Sequence, residues 1–136
     1  MTIPATKINK HFFANGEREI KVYSAFSDVT IASGQAAESD IIDLKWLQIN
    51  GSMTLQLELT GSGTAKIEAL TSIDGISYIK ASGQGYITSS FNATGGEDSN
   101  GKDILPVEIY LARYLKLLIT EIGSSEIVVN GILAAE

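Results

Sequence analysis

The chain has 136 residues and no cysteine, enough for one domain that folds without disulfides, and thiolate metal sites are excluded. Its net charge of −6 argues against a duplex nucleic-acid binder, which needs a cationic face toward phosphates. No basic and apolar leader opens the sequence, and no run approaches the roughly 18 apolar residues of a membrane-spanning helix, so neither a signal peptide nor a membrane partner is expected.

The charge is uneven. Residues 1–21 hold Lys7, Lys10, Arg18 and Lys21 against Glu17 and Glu19, a balance of +2, so the remainder carries −8. Residues 1–18 show no clear period and contain one bulky apolar pair, Phe12-Phe13. They read as an arm or edge segment that turns at Asn15-Gly16, and residues 19–136 as the folded domain. Ile20, Val22 and Tyr23 begin strand-like sequence, and Val29 to Ile31 is a second short run. Ser33-Gly34-Gln35 is a turn. Ala36-Ala37-Glu38-Ser39 suits a helical turn or the start of a strand. The apolar stretch from Ile41 to Ile49 includes Trp46, read as a core residue, and ends at Asn50-Gly51.

Met53, Leu55, Leu57 and Leu59 alternate with Thr54, Gln56, Glu58 and Thr60, the period of a strand with one buried face. Gly61-Ser62-Gly63 then suggests an antiparallel hairpin to Thr64–Thr71, with Leu57 opposite Ile67 and Glu58 facing Lys66. Asp74-Gly75 signals a further hairpin, with a strand from Tyr78 to Tyr86 that Gly83 and Gly85 could break. Residues 88–103 read as a long polar loop, and Ile104 to Tyr110 as extended, with Pro106 favouring an edge. Residues 113–122 and 126–134 flank Gly123-Ser124-Ser125 as a last hairpin. Its second face, with Tyr114, Leu118, Val128 and Ile132, is also apolar, so something should cover it: the loop, the arm or another subunit. Glycine-rich turns and the lack of a long helix predict an all-β fold, an antiparallel β-sandwich or jelly roll of about eight to ten strands.

Catalytic chemistry finds little to use. His11 is the single histidine and lies beside two phenylalanines, with no nucleophile and orienting acid in view. Glu58 and Glu68 could form a carboxylate pair, but no aromatic platform flanks them. Glu97 to Asp103 is oxygen-rich, yet it departs from the D-x-[DN]-x-[DN]-G calcium pattern and contains Lys102. No enzyme activity, cofactor or metal is expected.

Two segments carry a resemblance. Ser72-Ile73-Asp74-Gly75-Ile76-Ser77-Tyr78 resembles the S-x-D-G-x-x-[WY] hairpin of discoidin-like jelly rolls, and Ala112-Arg113-Tyr114-Leu115-Lys116-Leu117 resembles their A-R-Y-[VL]-[RK]-[LI] strand. The same pairing is found in small bacteriophage virion proteins of head and tail. The resemblance spans residues 53–134 and implies a non-enzymatic structural protein, a head-decoration or tail-associated β-sandwich. Such a protein, made in the bacterial host cytoplasm and resident in the virion, would self-associate, in some relatives as a trimer, and dock on other virion proteins. Lys7, Lys10, His11, Phe12 and Phe13 of the arm, loop 92–103, and Tyr114, Leu118, Val128 and Ile132 are then the expected contact elements. The alternative implied by the same resemblance is a carbohydrate-binding module.

Overall fold

The computed structural model describes residues 2–3, 6–12, 19–45, 47 and 52–136, and side chains at 20–45, 47 and 52–136. The described residues form strands and no helix. In chain order they are β1 (Thr2–Ile3), β2 (Thr6–Phe12), β3 (Glu19–Ile31), β4 (Ala36–Ser39), β5 (Ile42–Asp43) and β6 (Met53–Gly61). They continue with β7 (Thr64–Ser72), β8 (Tyr86–Asn92), β9 (Lys102–Pro106), β10 (Tyr114–Glu121) and β11 (Ile127–Ala135). Nine of these are four residues or longer, as the turn spacing predicts.

Two sheets result. The first has the order β1-β4-β10-β7-β8, with β5 also paired to β10; the second has the order β2-β3-β11-β6-β9. All pairings are antiparallel except the short β1–β4 contact. Most connections between β3 and β11 leave one sheet for the other, as in the paired Greek keys of a jelly roll. The inward faces of the two sheets meet in one core that contains Phe26, Leu55, Leu57, Ile67, Leu117 and Leu133, all essentially inaccessible to water.

The expected hairpins at 53–71 and 113–134 are instead arches between sheets. β6 pairs with β11, Leu57 facing Gly131 and Leu59 facing Val129. β7 pairs with β10, Ile67 facing Ile119 and Ala69 facing Leu117. Glu58 therefore stands opposite Lys102 of β9, and Lys66 meets Glu68, 3.5 Å away. Alternation cannot separate the two cases. A hairpin sets two buried faces side by side, an arch sets them across the core, and either reads as period two. The two arches stack with room only for glycine: a Cβ on Gly63 would collide with the Ser125 carbonyl, and Gly61 has φ of 100°.

β3 is a single strand where the sequence suggests two runs. Its register against β11 shifts near Gly131, and Asp28 adopts φ of 47°, the geometry of a bulge. Asn130 secures it, accepting from the Asp28 amide at 2.8 Å and donating to the Asp28 carboxylate at 3.0 Å. Residues 36–39 are strand rather than helical turn. The expected strand from Tyr78 to Tyr86 reduces to one bridge, Thr71 with Ile79, and regular pairing begins only at Tyr86. Residues 88–92 and 102–103, expected in a loop, belong to β8 and β9, so the loop is 93–101. Pro106 ends β9 at the edge of its sheet, where a missing N–H costs no ladder bond. The expected turns at Asn15-Gly16 and Asn50-Gly51, and Trp46, lie outside the described residues.

Candidate interaction surfaces

The arm residues take part in a sheet edge. Lys7, Lys10, His11 and Phe12 lie on β2, whose backbone pairs with β3 opposite Tyr23, Lys21, Ile20 and Glu19 respectively. Phe13 lies outside the described residues. The four apolar residues expected to share one face are divided. Tyr114 and Leu118 belong to the outer side of the first sheet and Val128 and Ile132 to that of the second, because β10 and β11 are not neighbours. All four are half-buried.

Part of the cover over β10 comes from the chain itself. Residues 75–80 return across the outside of the first sheet. Gly75 backs onto the Tyr114 ring, where an added Cβ would sit 3.2 Å from Cε2. The Lys116 ammonium lies 4.5 Å from the Tyr78 ring centroid and 3.5 Å from Glu38. Lys80 reaches Glu68 at 2.8 Å and donates to the Tyr86 hydroxyl at 2.6 Å. The Lys80 hydrogen bond, with Lys66 adding to it, holds the Glu68 carboxyl below its ordinary range despite its burial.

Loop 93–101 is laced by short-range hydrogen bonds. The Gly95 amide donates to the Asn92 carbonyl, Gly101 to Gly95, and Thr94 to the Asn92 side chain. The Asn100 and Asp103 side-chain oxygens accept from the Lys102 and Ile104 amides. Among the described residues no three His, Cys, Asp or Glu side chains converge as a metal site.

The surface that sequence reasoning missed lies at the end of the sandwich opposite the arches. There, loops 73–85 and 107–113 expose Ile73, Ile76, Ile79, Tyr110 and Leu111. The Ser72-Ile73-Asp74-Gly75 motif explains why these isoleucines point outward. The buried Ser72 hydroxyl accepts the Gly75 amide at 2.8 Å and donates to Asp74 at 3.0 Å. The same Asp74 oxygen accepts the Ile76 and Ser77 amides at 2.8 and 3.0 Å. These donors, Ser77 foremost, lower the Asp74 pKa. With inward space taken by this polar knot, Ile73 and Ile76 face solvent. Two isoleucines flanking Asp-Gly in a turn, where polar residues are the rule, were the available signal.

Further bonds tie the two loops together. Arg113 N donates to the Ser72 carbonyl, Gly85 N to the Glu108 carbonyl, and the Tyr110 hydroxyl to the Ser82 carbonyl at 3.1 Å. Arg113 also grips Asp43 with two nitrogens at 2.9 and 3.3 Å. This is a bidentate pair that lowers the carboxyl's pKa. Ile73, Ile79, Tyr110 and Leu111 line a cavity of ≈ 470 Å³ at this end. A second cleft of ≈ 640 Å³ lies on the outside of the second sheet, among Gln56, Glu58, Lys102, Ile104, Asn130 and Ile132.

No protein family matches the sequence, and no curated protein matches it. Solved structures match the fold. A viral particle of infectious bursal disease virus aligns with a TM-score of 0.57 at 11% identity, over 95% of this chain and 35% of that one. The chain thus spans about a third of that viral protein's length. The SPBc2 prophage-derived protein YomS aligns with a TM-score of 0.45 at 11% identity, over 85% of this chain and 92% of that one. A mutant of a family 29 carbohydrate-binding module aligns with a TM-score of 0.42 at 10% identity, over 96% of this chain and 77% of that one. The chain is similar to the viral-particle protein in its all-β jelly-roll fold.

Proposed function

We propose that this chain is a non-enzymatic structural protein of a bacteriophage particle, a head-decoration or tail-associated jelly roll that acts by self-association and docking on its lattice. The observation that carries the reading is the likeness in fold, over nearly the whole chain, to a protein of a viral particle. The hydrogen-bonded, apolar loop end supports it, since exposed apolar side chains gathered at one end suit a binding face better than a solvated one. Peptide mass spectrometry of particles purified from the bacterium that encodes the chain tests the proposal. The chain is expected at a fixed ratio to a coat or tail protein, and particles that lack it would contradict the reading.

A carbohydrate-binding module is the second reading, favoured by the cleft on the second sheet. Gln56, Glu58 and Lys102 ring an aliphatic floor of Ile104 and Ile132 there, a mix of hydrogen-bonding groups and apolar surface that can seat a sugar. No aromatic ring lines it among the described residues. Saturable glycan binding that disappears in Gln56→Ala would favour this reading, and a broad glycan array without a hit would remove it.

A further inference from the structure

We infer that the apolar loop end formed by Ile73, Ile76, Ile79, Tyr110 and Leu111 is the face on which a second copy of this chain docks. The inference deepens the structural-protein reading and rests on its premise of self-association. Scattered exposed apolar residues need no explanation, but these gather in two bonded loops.

Leu111 is 98% exposed, Ile76 82%, Ile73 81%, Ile79 63% and Tyr110 57%. Together they offer on the order of 500 Å² of apolar side-chain surface. A stable interface covers about 800 Å² on each side, a little over half of it non-polar. The patch alone therefore supplies the apolar area of one partner. Its loops are already fixed by the Ser72–Asp74 knot and by the Arg113, Gly85 and Tyr110 bonds, so docking sacrifices little conformational freedom.

Shape selects a second copy. The patch holds both a hollow and a projection. The ≈ 470 Å³ cavity is lined by Ile73, Ile79, Tyr110 and Leu111, while Ile76, in the same turn, is absent from its lining and stands in solvent. In a two-fold contact each surface meets its own copy, so Ile76 of each chain enters the other's cavity. The neighbouring charges are largely spent within the chain: Asp43 on Arg113, Glu68 on Lys80, and one Asp74 oxygen on its own turn. Among the described residues, Asp74 and Glu108 remain at the rim, and their acidity disfavours an anionic lipid surface.

Sedimentation velocity of the full chain and three variants tests this. Wild type is expected to form a dimer, strengthened by salt as rim repulsion is screened. Ile76→Glu and Leu111→Glu, at positions too exposed to affect folding, should each weaken it at least about ten-fold with unchanged circular dichroism and melting. Ile104→Glu, an equally conspicuous exposed isoleucine on the second sheet, should leave it intact. An oligomer that survives the first two changes but yields to Ile104→Glu would overturn this face and leave self-association standing. A trimer would overturn the two-fold contact. A strict monomer would count against both readings, as would binding to phosphatidylcholine vesicles through Ile76 and Leu111 without self-association.

Discussion

Glu121 joins three turns through one buried carboxylate. It accepts the Thr64 amide at 2.9 Å, Gly34 at 3.0 Å and Gly123 at 2.6 Å, and these donors, Thr64 first, lower its pKa from the ordinary 4.5. A carboxyl with a depressed folded pKa stabilises the fold above its unfolded value, and that contribution fades as pH falls through the folded one. Glu121→Gln should therefore lower the melting temperature at neutral pH and flatten its dependence on pH below about 4.5. Parallel acid limbs for the two proteins would refute the role. Leu57→Ala removes a fully buried side chain and should cost about 2–5 kcal/mol in urea unfolding. Leu57 was legible as core from alternation alone. Glu121 left a fainter sign: it shares the inward parity of Leu115, Leu117 and Ile119, where a charge must find partners. The partners come from turns 57 and 87 residues away, which local patterning cannot reveal.

Strands were more legible than their pairing. Period two located β6, β7, β10 and β11, and Pro106 foretold an edge, because both follow from local backbone geometry. Which strands pair depends on whether a short glycine loop closes within a sheet or across the core, and Gly61-Ser62-Gly63 and Gly123-Ser124-Ser125 permit either. The absence of native cysteine allows a direct check. Thr60→Cys with Val128→Cys joins facing residues of β6 and β11, within the span of a disulfide, and should oxidise readily in the folded protein. Glu58→Cys with Lys66→Cys, facing in a hairpin but on separate sheets here, should not. The reverse outcome would overturn the arch topology. The same error in pairing placed Tyr114, Leu118, Val128 and Ile132 on one imagined surface, when the core lies between the two pairs.

Across the whole molecule, the two ends of the jelly roll differ in chemistry. The arch end carries Ser, Gly and acidic residues around the Glu121 junction with one exposed aliphatic side chain, Ile122, whereas loops 73–85 and 107–113 at the other end carry several. The fold class was legible because turn spacing and alternation reflect the sandwich itself. The apolar end was not, because Ile73 and Ile76 look like strand residues until the Ser72–Asp74 knot turns them outward. In the proposed assembly this apolar end joins one copy of the chain to another. Light scattering of the full chain over a wide concentration range addresses that claim most directly. The account predicts a mass rising from the 14.5 kDa of one chain toward twice that value; a mass fixed at one chain at every concentration and salt would contradict it.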